Sequence, residues 1–154
     1  IREFKESEVE FHIVGDGSEL EKVKKYIVLN NMDNVFIHGF LSGEAKLNVY
    51  LASDLYLFPS YSEGMPNSLL EAMGSGLPVL CTNVGAMKDF FVNGKMGFSH
   101  DLPIDNKKFK NSLDFFLNKP EQSIVIGQYN REYAENFFKA SKVTKQLEHI
   151  FYEV

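Results

Sequence analysis

Four short runs, residues 10–14 (EFHIV), 35–38 (VFIH), 54–58 (DLYLF) and 78–82 (PVLCT), set the frame within which this chain can fold. Each is largely apolar, and each leads through small or polar residues into a stretch with helical spacing. Strands that are apolar on both faces and alternate with helices specify a parallel sheet covered on both sides. With 154 residues, 44% of them apolar and 24% charged, the chain has the length and composition of one globular domain with a sizeable core. The expected fold class is therefore α/β, a Rossmann-like parallel sheet with helices on both faces.

Turn and cap signals place the elements. Gly15-Asp16-Gly17 turn the chain after the first run, and Ser18 with Glu21 has capping-box spacing for a helix ending near Asn30-Asn31. A second helix is predicted over about 44–51, with Leu47 and Leu51 on one face, and others over about 66–75 and 85–92. After a turn at Asn93-Gly94, two or three helical stretches run to the end. There is no internal repeat, linker or low-complexity tract.

In open parallel sheets ligands dock beyond the carboxyl ends of the strands. The segments there are Gly15-Asp16-Gly17, Gly39-Phe40-Leu41-Ser42, Ser60-Tyr61-Ser62-Glu63-Gly64 and Thr82-Asn83-Val84-Gly85-Ala86. Glu63 sits on the third loop and Glu71 eight positions on, inside the helix the loop starts. Asn67, Glu71 and Ser75 share a stripe at four-residue spacing, which leaves Leu69, Leu70, Ala72 and Met73 to pack on the sheet. Glu71 then suits vicinal hydroxyls such as those of a ribose, and Glu63 those of a second sugar. Between them the first-turn N–H groups around Asn67 and Ser68 point at a phosphate. Spacing alone leaves a plainer account open: βα loops carry glycine simply to turn, and a glutamate near a helix start complements the macrodipole in water.

The stretch FPSYSEGMPNSLLEAMGSGLPVLCTNVGAMKDFFVNGKMGF resembles the donor-binding segment of the retaining glycosyltransferases of GT-B fold known as family 4, the glycosyl transferases group 1. The hallmark E-x7-E is met by Glu63 and Glu71. The upstream pieces FHIVGDGSELEKV and NVFIHGFLSGEAK resemble preceding units of the same domain, so the likeness runs from about residue 9 to residue 100. The resemblance implies that Glu63, the catalytic candidate, contacts donor-sugar hydroxyls, and that Glu71 binds the ribose. Backbone amides of Gly64, Met65, Asn67 and Ser68 would lie near sugar and diphosphate. Leu41 and Lys46 would wall the base pocket, and Gly15 and Gly17 would let the backbone approach the nucleotide. The implied reaction is retaining transfer from a UDP- or GDP-sugar, without a metal or other cofactor, onto a polysaccharide or membrane-associated glycolipid acceptor. That implies a cytoplasmic place at the inner face of a membrane.

In that family the domain opens with a strand and a loop carrying an Arg and a Lys. Residues 1–8 read instead as the end of the following helix, and Arg2 and Lys5 do not match the pair. The expectation is a partial donor domain, residues 1–154, lacking its first βα unit and its N-terminal acceptor domain, and inactive alone. The alternatives are a sugar-nucleotide epimerase of the same fold and a non-catalytic nucleotide-binding or interaction domain.

Other residues carry less. A net charge of −5 gives no basic footprint for nucleic acid. The single cysteine, Cys81, excludes an internal disulfide and reads as a small buried residue. His12 and His38 read as core or strand-end histidines, and Asp16 as turn chemistry. Gly15-x-Gly17 lacks a third glycine, with Leu20 in its place, which weakens a dinucleotide fingerprint. No His/Cys/Asp cluster has metal spacing. Tyr129, Tyr133 and Phe137 read either as the packed stripe of a helix or as a contact for the absent domain. Lys107, Lys108 and Lys110 cluster, but Asp105 and Asp114 flank them and weigh against a membrane-surface helix.

Overall fold

The structure, a computed structural model, describes residues 1, 4 and 8–152. Arg2 and Lys5, and most of the segment expected to end a helix, lie outside the described residues. The chain divides into two compact units, Ile1–Leu51 and Ala52–Val154.

In the first unit, β1 (Phe11–Val14) and β2 (Val35–Gly39) pair in parallel, Phe11 against Val35 and Ile13 against Ile37, with a register shift after Ile13. Phe4, Phe11 and Met32 are its buried apolar side chains. Asn34 ties them together by donating from Nδ2 to the carbonyls of Phe4 and Val9. Helix α1 (Leu20–Leu29) does not start with the expected capping box. Its N-cap is Glu19 and no side chain caps it. The Leu20 N–H already donates to the Gly17 carbonyl, so Ser18 belongs to the turn, and the Ser18–Glu21 pair is one residue out of register with the helix. Helix α2 (Gly43–Leu51) follows β2, and neither helix buries a residue.

The second unit holds β3 (Tyr56–Phe58), β4 (Val79–Thr82) and β5 (Gly97–His100), all parallel with β4 in the middle. Every residue of β4 is buried, as a central strand that is apolar on both faces must be. β5 carries no strand signal in the sequence. Gly-Phe-Ser-His offers one large apolar side chain in four residues, too few to signal a strand. Five helices complete the unit: α3 (Asn67–Gly74), α4 (Met87–Phe90), α5 (Asn106–Asn118), α6 (Pro120–Phe137) and α7 (Ala140–Tyr152). Leu69, Met73, Val79, Cys81, Met87 and Met96 form the core with Ala134 of α6.

The parallel α/β architecture expected from the sequence is thus present in two sheets. Tyr129 and Tyr133 of α6 pack against the core, and Tyr133 stacks on Phe90. Phe137 of the same stripe is 53% exposed. Among the described residues no helix is long and apolar enough to cross a membrane.

Candidate functional site

The carboxylate motif lies wholly in the second unit. Leu69, Ala72 and Met73 of α3 are buried, while Asn67 and Glu71 are exposed, so the polar stripe faces outward as the four-residue spacing predicted. Pro66 is the N-cap of α3, and no side chain caps the helix. Pro66 has no side-chain oxygen to offer, and the first N–H groups of any helix lack intrahelical partners. The positive end of α3 is therefore presented at the loop that carries Glu63, Gly64 and Met65.

Tyr56, at the start of β3, links the parts. Its hydroxyl shares a side-chain hydrogen bond with Ser68, in the first turn of α3, and it feels the carboxylates of both Glu63 and Glu71. Burial, the largest cause, pushes its phenol up from 10.0 to about 12; the Ser68 bond opposes this and the two carboxylates add to it. One tyrosine thus bonds the first turn of α3 and carries the electrostatic influence of both acids. Nothing in the sequence marks Tyr56 for such a role, because a tyrosine inside an apolar strand signals packing.

The loop before α3 is held from several sides. The Ser60 hydroxyl donates to Glu63 Oε1 at 2.6 Å. Thr82, fully buried at the end of β4, donates its hydroxyl to the Ser60 carbonyl. The Ala86 N–H donates to the Gly64 carbonyl at 2.9 Å. Gly85, with φ +59°, passes so close that a Cβ there would lie 2.4 Å from the carbonyl oxygens of Glu63 and Gly64. Only glycine tolerates both that backbone and that approach.

The remaining predicted residues belong to the first unit. The Gly15 N–H donates to the Gly39 carbonyl at 2.8 Å, which sets the turn after β1 beside the segment leading to Leu41. No atom lies within 4 Å of where a side chain would begin at Gly15 or Gly17. Leu41 and Lys46 are half-buried, Lys46 on α2. Gly15, Gly17, Leu41 and Lys46 thus belong to the first unit, and Glu63, Gly64, Met65, Asn67, Ser68 and Glu71 to the second.

The bystanders resolve by contact. Asp16 Oδ1 accepts from the Gly17 N–H at 2.6 Å, which is turn chemistry. His12 and His38 are exposed rather than in a core. They satisfy each other, Nδ1 to Nε2 at 2.9 Å, because they sit on the same outward face of neighbouring strands. Cys81 is buried, and burial pushes its thiol from 9.0 up to about 12. Among the described residues no three His, Cys, Asp or Glu side chains group as a metal site.

The sequence model for the family described as Glycosyl transferases group 1 matches residues 1–133. The chain belongs to the glycosyl transferases group 1 family. Within that family it is similar to the sulfoquinovosyl transferase SQD2 of Arabidopsis thaliana, 32% identical over 141 residues, which covers 90% of this chain and 27% of the relative. It is also similar to the capsular polysaccharide biosynthesis glycosyltransferase CapM of Staphylococcus aureus, 28% identical over 126 residues, covering 82% of this chain and 32% of CapM. Among solved structures, S. aureus TarM, as a point mutant in complex with fondaparinux, alpha-GlcNAc-glycerol and UDP, superposes with a TM-score of 0.81 at 25% identity, covering 97% of this chain and 30% of TarM. The chain therefore spans about a third of the length of these group 1 glycosyltransferases or less.

Proposed function

We propose that this chain supplies part of the donor-binding side of a transferase that moves a hexose from a nucleotide diphosphate sugar, with retention at the anomeric carbon, to a polysaccharide or glycolipid acceptor. The observation that carries the reading is an α3 start that no side chain caps, with Glu63 on the loop that leads into it and Glu71 on the exposed stripe of the helix. The first turn of α3 meets the charge of the diphosphate and stabilises what develops on it as it departs. Glu71, on the exposed stripe, accepts from ribose hydroxyls. Glu63, on the fastened loop, orients the sugar. The UDP bound in TarM makes a uridine nucleotide the first donor to try. Gly15, Gly17, Leu41 and Lys46 would serve the nucleoside, and a peripheral place at a membrane would bring a lipid-linked acceptor within reach.

The test is calorimetry with UDP, GDP and ADP on the full-length protein carrying this sequence, followed by donor hydrolysis. Glu71→Ala is expected to weaken UDP binding about 10- to 100-fold, from the roughly 1.5–3 kcal/mol of hydrogen bonding to a charged group. Unchanged affinity would remove Glu71 from the ribose. Nucleotide binding without any donor turnover would favour a non-catalytic binding domain.

A further inference from the structure

Ser60 has no role in the sequence motif, yet the structure connects it to the carboxylate on which the donor site turns. We propose that Ser60 is a positioning residue for Glu63, and that Thr82 anchors it to the central strand. The inference rests on the donor-site reading above.

Three contacts argue for it together. The Ser60 hydroxyl has two acceptors in reach, Glu63 Oε1 at 2.6 Å and the Ser62 carbonyl at 3.3 Å. A hydroxyl has one proton to give, and the shorter bond to an ionised oxygen takes it; 2.6 Å is the normal length of a charge-assisted O–H···O bond. If Ser60 only closed a local turn, the Ser62 carbonyl would be the near partner. Next, Ser60 is not free to follow Glu63 about, because its own carbonyl accepts from the Thr82 hydroxyl, which is fully buried at the end of β4. Finally, the backbone on the other side of Glu63 is fixed by the Ala86 N–H on the Gly64 carbonyl and by the close passage of Gly85. The backbone of the Glu63 loop is thus pinned from the β4 side at two points, and its side chain at a third.

The chemical consequence is a divided carboxylate. Oε1 is engaged by Ser60, and Oε2 makes no hydrogen bond or ion pair among the described residues. A loop glutamate with three rotatable bonds would otherwise sample many rotamers. With Oε1 fixed, Oε2 points one way and offers its lone pairs to one sugar hydroxyl. Positioning of this kind acts on the chemical step, where a displacement of about 1 Å costs on the order of 100-fold. It leaves nucleotide affinity alone, because Ser60 and Glu63 are assigned no contact with the nucleotide.

The experiment is a double-mutant cycle in the full-length protein, with UDP affinity by calorimetry and turnover on UDP-glucose, UDP-N-acetylglucosamine and GDP-mannose. Ser60→Ala is expected to lower kcat roughly 10- to 100-fold while Kd for UDP stays within about twofold. Ser60→Thr, which keeps the hydroxyl, is expected to recover most of the loss. Once Glu63→Ala is present, Ser60→Ala should cost nothing further, since the two act as one unit. Losses that multiply in the double variant would overturn the proposal, as would full kcat in Ser60→Ala. A fall in UDP affinity matching the fall in kcat would mark general disturbance and also overturn it. If Glu63→Ala and Glu71→Ala behave as the donor site requires and Ser60→Ala does not, only the positioning role falls. If the unmodified protein turns over none of the three donors, the donor-site reading falls and takes this inference with it.

Discussion

Asn130 offers a direct test of how the second unit holds α6 against the site helix. Its side chain is fully buried, and Nδ2 donates to the carbonyls of Leu77 and Met96, each at 2.8 Å. One amide thereby fastens α6 to the turn after α3 and to the residue preceding β5. Asn130→Asp keeps the shape and removes both donors. The two hydrogen bonds are worth about 1 kcal/mol each. Met96 O keeps the Val79 N–H at 3.2 Å, so the heavier loss falls at Leu77. Aiming an ionised carboxylate at two carbonyls in a dry interior adds several kcal/mol, which the group escapes by staying protonated. The expected cost is about 3–5 kcal/mol at pH 7. The introduced carboxyl has a folded pKa above its unfolded value, so stability is retained below about pH 4 and lost as pH rises. At pH 4 the protonated acid can still donate to one carbonyl, and the cost shrinks to about 1–2 kcal/mol. Urea unfolding of the full-length variant, with hydrogen exchange of residues 52–137 to localise the effect, measures both values. A cost below about 1 kcal/mol at pH 7, or one that does not change with pH, would show that Asn130 does not sit in a dry interior.

Two further outcomes follow from the same unit. Gly97→Ala places a Cβ 1.9 Å from the Val79 carbonyl oxygen at φ +128° and should break the β4–β5 pairing at a cost above about 3 kcal/mol. Gly94→Ala, with φ +82° and open space, should cost only the backbone strain of about 1–2 kcal/mol; similar losses at both sites in urea melts would refute the steric account. Cys81 and Tyr56 both have folded pKa values raised to about 12, from 9.0 and 10.0, so the stability they contribute is complete below pH 9 and drains away as pH rises to 12. Integrating at about 1.4 kcal/mol per pH unit gives a loss of about 4 kcal/mol at pH 11; Cys81→Ala should remove the larger part of that slope, and an unchanged slope would contradict the burial of the thiol.

What could be seen in the sequence followed from periodicity and from motif. The continuous apolar character of PVLC marked β4 as a strand covered on both faces, and the four-residue stripe put Glu71 outward and Leu69 and Met73 inward. The E-x7-E spacing found the pair of acids. β5 escaped because its register depends on a glycine fitting under the Val79 carbonyl, a tertiary fact with no periodic trace. The α1 cap lies one residue beyond the Ser18 signal because the Gly17 turn takes the first helical N–H. Ser60, Tyr56 and Thr82 escaped for a related reason: their partners lie across the sheet or across a turn, and a lone hydroxyl in an apolar strand or small-residue loop reads as packing. Gly85 stood in a predicted site loop, but the distance that makes it obligatory is measured from a loop more than twenty residues upstream.

The placement of Cys81 has a use beyond packing. A thiol sealed into the middle of β4 reacts with a water-borne disulfide or maleimide only during the moments when the strand is laid open. The labelling rate at this residue would therefore act as a clock for breathing of the sheet, and slowing of that clock by a bound nucleotide would report, without any catalytic assay, how strongly ligand and scaffold are coupled.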